Sequence, residues 1–223
     1  MLMLYHGSRI TVEHPQYGAG RPSTDYGSGF YCTQSKDLAR EWACAEQIDG
    51  FVNAYELDDT DLVTLDLQQP PFTALHWLAL LVQNREPQIN TALARAAESY
   101  LLAHFLPNTS AADIICGWRA DDSYFSFSRA FLGNQISYAQ LKVAMRLGGL
   151  GTQIVLKSPK SFEHIRFLSA EPVDARVWFG RRRQRDLTAR EEFERTLASE
   201  DLAGVFMRDI LTQRMEPDDE RLQ

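Results

Sequence analysis

The sequence predicts an α+β protein. Short runs of strand-prone apolar residues recur along the chain, and other segments repeat their apolar residues with the period of a helix. No Gly-x-Gly-x-x-Gly follows a strand, which argues against a dinucleotide-binding doubly wound sheet.

Taken in order, Met1 to Tyr5 reads as a short buried strand that His6-Gly7-Ser8 ends. Residues 9–28, rich in Gly, Pro, Ser and Tyr, read as loop. Gly29 to Thr33 reads as a second strand, with Phe30 and Tyr31 both strand-prone. Ser35 to Gln47 reads as a helix: Leu38, Trp42 and Ala45 recur at i, i+4 and i+7, and Ser35 suits an N-cap. Phe51 to Leu57 alternates as a strand does, and Leu62 to Leu67 reads as another. Residues 73–106 read as helical, with a break near Asn84 to Pro87. Asp113 to Cys116 reads as a strand, followed by a turn through Gly117 and then Asp121-Asp122. Tyr124 to Phe131 reads as a helix, and Ser137 to Leu147 as a better one, capped by Ser137 and closed by Gly148-Gly149. Gln153 opens the strand Ile154-Val155-Leu156, and Ser161 to Leu168 adds one more short element.

Beyond about residue 171 the texture changes to Arg, Glu and Asp. Thr188 to Met215 fits an amphipathic helix or helix pair, with Thr188 and Glu191 spaced as a capping box, and Glu216 to Gln223 are expected to fray. The expected organisation is a domain over 1–170 and a charged, mainly helical extension over 171–223.

The 223 residues suit one compact domain with extra elements, or two small ones. Apolar residues at 44% and charged residues at 24% allow a core without disulfides or metals. A net charge of -7 argues against a general nucleic-acid coat protein. The run Arg181-Arg182-Arg183-Gln184-Arg185 reads first as a solvated turn before a helix. Cys32, Cys44 and Cys116 are odd in number and lack CxxC spacing, which speaks against a disulfide framework and a zinc site and for a reducing compartment. The first residues lack a basic n-region, and no apolar run nears the roughly 18 residues of a membrane helix. A cytoplasmic protein with no membrane partner is therefore expected. No P-loop, no HExxH spacing around His104 or His164 and no Gly-x-Ser-x-Gly elbow is present, and no metal is expected.

Three pieces carry chemistry: Leu4-Tyr5-His6-Gly7-Ser8; Asp25-Tyr26-Gly27-Ser28-Gly29-Phe30-Tyr31-Cys32-Thr33, with Trp42 on the following helix; and Gln153 at the start of an apolar strand. The arrangement resembles the ADP-ribosyltransferase superfamily, in the branch whose site is built on His, Tyr and a third polar residue. It is more nearly similar to the bacterial DUF3990 family, whose members show a similar beginning. That family also shows similar segments to Ala120-Asp121-Asp122-Ser123-Tyr124-Phe125 and to the late strand from Gly149 to Ser158. The similarity covers residues 2–168.

The resemblance implies a split pair of curved antiparallel sheets with surrounding helices, holding NAD in a cleft between the sheets. His6 would hold the adenosine ribose, since a neutral imidazole both donates and accepts. Gly7, without a Cβ, would let its backbone approach the nicotinamide amide, with Ser8 beside it. Arg9 would pair with the pyrophosphate. Tyr31 would stack on the nicotinamide ring, and Trp42 is either a second flanking aromatic or core.

Gln153 stands where many active relatives have Glu. It can orient the nicotinamide ribose, but it carries no charge and cannot act as general base. Asp121 and Asp122 are either acceptor-side carboxylates or a turn and helix cap, and Asp25 would shape its loop. The function implied is NAD-dependent mono-ADP-ribosyl transfer, as in a toxin or effector. Its macromolecular acceptor is unknown, a protein rather than a nucleic acid, and an antitoxin or partner protein is conceivable. The alternatives are an NAD glycohydrolase and a catalytically inactive NAD-binding module. A nucleic-acid modifier using the Arg181–Arg185 run is a weaker one.

Overall fold

The computed structural model describes residues 1–85, 91–120 and 122–223, with the backbone alone for 122–125. It is a mixed α and β structure built on two sheets. The first has the order β1 (Leu2–Ser8), β3 (Gly50–Leu57), β7 (Ile165–Val173), antiparallel throughout. The second has the order β2 (Phe30–Cys32), β6 (Thr152–Leu156), β5 (Ile114–Trp118), β4 (Thr64–Asp66).

Within the second sheet β4 runs parallel to β5, where antiparallel pairing was expected. The reason lies between them. Parallel neighbours need a long crossover, and α2 (Ala74–Arg85) and α3 (Ala92–His104) supply it. Helix α2 is buried on all sides from Ala74 to Val82, as an apolar helix without a polar face must be. It forms the centre of the main core.

Capping signals act where the sequence places them. Ser35 accepts from the Leu38 N–H at 3.3 Å and starts α1 (Lys36–Ala43). Ser137 starts α5 (Tyr138–Ala144), exchanging bonds with Gln140 in a capping box.

Elsewhere the structure corrects the sequence reading. Strand β1 does not stop at Tyr5. Buried Asn53 opposes His6, Gly7 opposes Val52 and Ser8 opposes Phe51, so β3 keeps the ladder going. Gly117 belongs to β5, opposite Gln153, and not to a turn. The span from Ser161 divides into helix α6 (Pro159–Glu163) and the long β7, which crosses residue 170 and pairs along all of β3.

The C-terminal region departs most. Helix α7 (Ala175–Ala198) is one helix capped by Asp174, so Thr188 lies inside it and begins nothing. The Arg181–Arg185 run lies on that helix, and its last member faces inward, where Arg185 Nε meets Glu41 of α1 at 2.8 Å. Nor does the end fray. Met207 and Ile210 of α8 (Met207–Gln213), then Met215 and Leu222, are buried, and the Tyr138 hydroxyl donates to the Leu222 carbonyl at 2.9 Å. Helix α4 (Asp122–Leu132) completes the set. Among the described residues, no helix is long and apolar enough to cross a membrane.

The two sheets touch through β1 and β2. The Tyr5 N–H donates to the Thr33 carbonyl at 2.8 Å, and the Thr33 N–H to the Tyr5 carbonyl at 3.0 Å. Helix α1 packs across β1 at close range. A Cβ on Gly7 would lie 2.1 Å from the Ala39 carbonyl oxygen and 2.7 Å from the Ala43 nitrogen. Backbone cannot yield as a flexible side chain can. Gly7→Ala is therefore expected to destabilise the fold by about 3 kcal/mol, read as a lower urea midpoint at unchanged slope.

Candidate functional site

Beyond the Tyr5–Thr33 bridge, β1 and β2 part. A continued antiparallel ladder would set Gly7 opposite Tyr31. Instead the Tyr31 carbonyl accepts from His6 Nδ1 at 2.8 Å. Alternate residues of a strand turn their main-chain groups to the same side. Gly7 therefore presents its N–H and C=O on the side where Tyr5 meets Thr33, at the rim of a cleft.

This cleft measures 790 Å³, larger than the hollows beside α4 (390 Å³) and beneath α5 (360 Å³). It lies in the size range of small-molecule and cofactor sites. His6, Gly7, Tyr31, Trp42 and Gln153 all line it, though they are spread over four separate elements of the fold and nearly 150 residues of chain.

Each has a defined state. The His6 ring packs against Phe30, with centroids 4.5 Å apart. Burial pushes its pKa below the usual 6.5, and the bond to the Tyr31 carbonyl opposes this more weakly. The imidazole is thus neutral at pH 7. A carbonyl only accepts, so the proton sits on Nδ1 and leaves the Nε2 lone pair as an acceptor.

The Tyr31 hydroxyl is fully engaged. It donates to the Gly27 carbonyl at 2.6 Å, accepts from the Tyr26 N–H at 3.0 Å and meets the Thr24 hydroxyl at 2.6 Å. Burial raises its pKa far above the ordinary phenol value. What Tyr31 offers the cleft is its ring, while its hydroxyl holds the loop over residues 24–27 in place.

Gln153 is 4% exposed, on β6 opposite Gly117. Its Oε1 is buried without a hydrogen-bond partner. Leaving such an acceptor unsatisfied costs about 1–3 kcal/mol, and a donor brought by a ligand would remove that cost. The indole Nε1 of half-buried Trp42 is likewise buried and unpartnered, and the Arg119 guanidinium lies 3.1 Å over the Trp42 ring.

Four further cleft residues come from separate segments: Arg21 and Asp25 of the loop, Arg85 at the end of α2, and Arg119 just past β5. Asp25 ties three of these segments together. Its carboxylate accepts from Arg85 at 2.8 Å and from the Ala120 N–H at 2.9 Å, and its carbonyl from Asn84 at 3.2 Å. Burial raises the Asp25 pKa, against the pull of the Ala120 N–H and Arg85. Lys157 Nζ donates to the Tyr26 carbonyl at 2.6 Å and closes the loop from the other side.

Other expected site residues lie elsewhere. The Ser8 hydroxyl donates to the Ile10 carbonyl and accepts from Asn53 at 3.1 Å, so it fixes the following loop. Arg9 is exposed and does not line the cleft. Asp121 lies outside the described residues, as does the side chain of Asp122, whose backbone begins α4. The arginines at the cleft left no signal in the sequence, because each sits alone in a different segment of the chain. Among the described residues no group of three or more His, Cys, Asp or Glu could hold a metal. Burial pushes the Cys116 thiol up to about 12 and raises that of Cys32 further, so neither supplies a thiolate nucleophile at neutral pH.

Residues 2–167 match the model of a family described as protein of unknown function (DUF3990). Comparisons with curated proteins and with solved structures returned no match.

The lowered His6 pKa has a consequence for stability. Below about pH 6.5 the unfolded chain binds a proton that folded His6 refuses, so stability falls as pH drops through that range and is flat above it. His76, also lowered by burial, adds to the same acid limb. Urea unfolding of His6→Asn at pH 7.5, 6.5 and 5.5 is expected to show a shallower acid decline than wild type. An equal decline would mean that His6 is not held neutral.

Proposed function

The chain belongs to the DUF3990 family, and within it we propose that this protein is an NAD-dependent mono-ADP-ribosyltransferase with a fold of the ADP-ribosyltransferase kind. The observation that carries this reading is the buried, unpartnered Oε1 of Gln153 in the cleft shared by neutral His6 and the Tyr31 ring. A ribose hydroxyl is a donor of the kind Gln153 lacks. A second ribose hydroxyl would donate to His6 Nε2. The nicotinamide ring, a planar cation, would lie on Tyr31, with its amide read by the Gly7 main chain.

In the reaction the bond between the ribose anomeric carbon and the nicotinamide nitrogen breaks, and its electron pair leaves with neutral nicotinamide. The acceptor nucleophile bonds to that carbon and gives up its proton to solvent water. Gln153 orients the ribose but takes no proton. Asp25, the carboxylate among the described lining residues, is held by Arg85 and Ala120. The absence of a charge at position 153 fits single transfer to a macromolecule, with a protein as the acceptor class. It also favours a second reading, in which the cleft binds NAD without turnover. Water as acceptor would make the protein an NAD glycohydrolase.

Purified protein with labelled NAD and a cell lysate separates these readings. Label is expected on protein, lost in His6→Ala, with kcat/KM reduced about tenfold or more in Gln153→Ala. Nicotinamide release without label would make the enzyme a glycohydrolase. Binding without release would leave an NAD module, and no binding would end the reading.

A further inference from the structure

The arginine on Trp42 is placed where a ligand ring would go. Arg119 Cζ stands 3.1 Å from the Trp42 ring centroid, and both residues line the cleft. At that distance the guanidinium is in full van der Waals contact with the indole face. No second ring can therefore share that indole face while the guanidinium stays. Trp42 is half-buried and packs against the main core as well.

The backbone at this point is held on both sides. Trp118 is paired with Thr152, and its carbonyl accepts from Trp77 Nε1 at 2.9 Å and from the Tyr26 hydroxyl. The Ala120 N–H is fixed by the Asp25 carboxylate at 2.9 Å. Clearing the indole face thus falls to rotation of the Arg119 side chain, which has a long flexible stem. The Trp42 Nε1, buried without a hydrogen-bond partner, is a donor that a ligand acceptor would satisfy.

We infer that Arg119 is a placeholder that selects the ligand by charge: its guanidinium occupies the aromatic face that a cationic planar ring takes on binding. The inference rests on the NAD reading of the same cleft and adds which form of the ring is accepted. An aromatic face attracts a cation through its quadrupole. An oxidised, positively charged nicotinamide ring replaces one cation–π contact with another. A neutral ring breaks the contact and offers no equivalent. The cleft therefore discriminates for the oxidised dinucleotide at Trp42, before any chemistry.

The test titrates wild type, Arg119→Ala, Arg119→Gln and Arg21→Ala with 1-methylnicotinamide, a cationic ring without ribose or phosphate, and with neutral nicotinamide. Both Arg119 variants are expected to bind 1-methylnicotinamide about tenfold more tightly than wild type, with a smaller gain for nicotinamide. Arg21→Ala removes a charge from the same cleft without touching Trp42, and is expected to gain less. The gain is expected to vanish when Trp42→Leu is added to Arg119→Ala. Thermal melts of all variants confirm folding, and the glutamine variant keeps the planar head group should the alanine variant fail to fold. Equal affinity of wild type and both Arg119 variants for 1-methylnicotinamide would overturn the placeholder, as would an equal gain in Arg21→Ala. NAD titrated into wild type separates the two levels: NAD binding with no Arg119 effect sinks this inference alone, and no NAD binding sinks the reading beneath it as well.

Discussion

One pair of backbone hydrogen bonds, between Tyr5 and Thr33, joins the edges of the two sheets, and the cleft follows from it. Had the ladder run on, Gly7 would face Tyr31 and the two sheets would close into one surface. The His6 ring prevents this by taking the Tyr31 carbonyl for its own Nδ1. A single side chain thus takes the carbonyl the ladder would use, fixes its own tautomer and lines the space between the strands. The Tyr31 hydroxyl does the matching work on the other wall by anchoring the loop through Thr24, Tyr26 and Gly27. Both residues are tied down at one end while the other end lines the cleft.

Signals confined to a few neighbouring residues were legible in the sequence. Ser35 and Ser137 cap the helices they were expected to cap, because a cap is a bond between residues three apart. His6, Tyr31 and Gln153 were legible through resemblance and stand on one cleft. What needed partners from afar was not. His6-Gly7-Ser8 looks like a strand end, and it remains strand because Asn53, on another element, pairs opposite. Gly117 looks like a turn, yet a Cβ there would lie 2.3 Å from the Tyr26 hydroxyl oxygen, so its smallness serves packing. Thr188 and Glu191 have capping-box spacing, but Asp174 starts the helix earlier and carries it straight through. The cleft arginines come from a loop, a helix end and a strand end, a set that no local spacing can announce.

Charge is distributed unevenly. The chain carries -7 overall, while three arginines and one buried aspartate line the cleft. A concave site with low-dielectric walls concentrates such a local excess, so an anionic ligand is drawn to the cleft by a protein that repels it elsewhere. Helix α7 contributes to this arrangement at a distance. Its Arg185 meets Glu41 on α1, the helix that carries Trp42, so the charged outer layer also braces one aromatic wall.

The rim at Gly7 differs from the rest of the site in what heredity can alter. A ligand read by the main-chain N–H and C=O of Gly7 would be read by atoms that every residue but proline possesses, and the contact with Ala39 forbids the exchange of this residue for a larger one. Drift among descendants of this chain can retune the aromatic walls or the arginines one codon at a time. The backbone hydrogen bonds at Gly7 have no codon of their own. Divergence of the family should therefore alter what surrounds Gly7 long before it alters Gly7 itself.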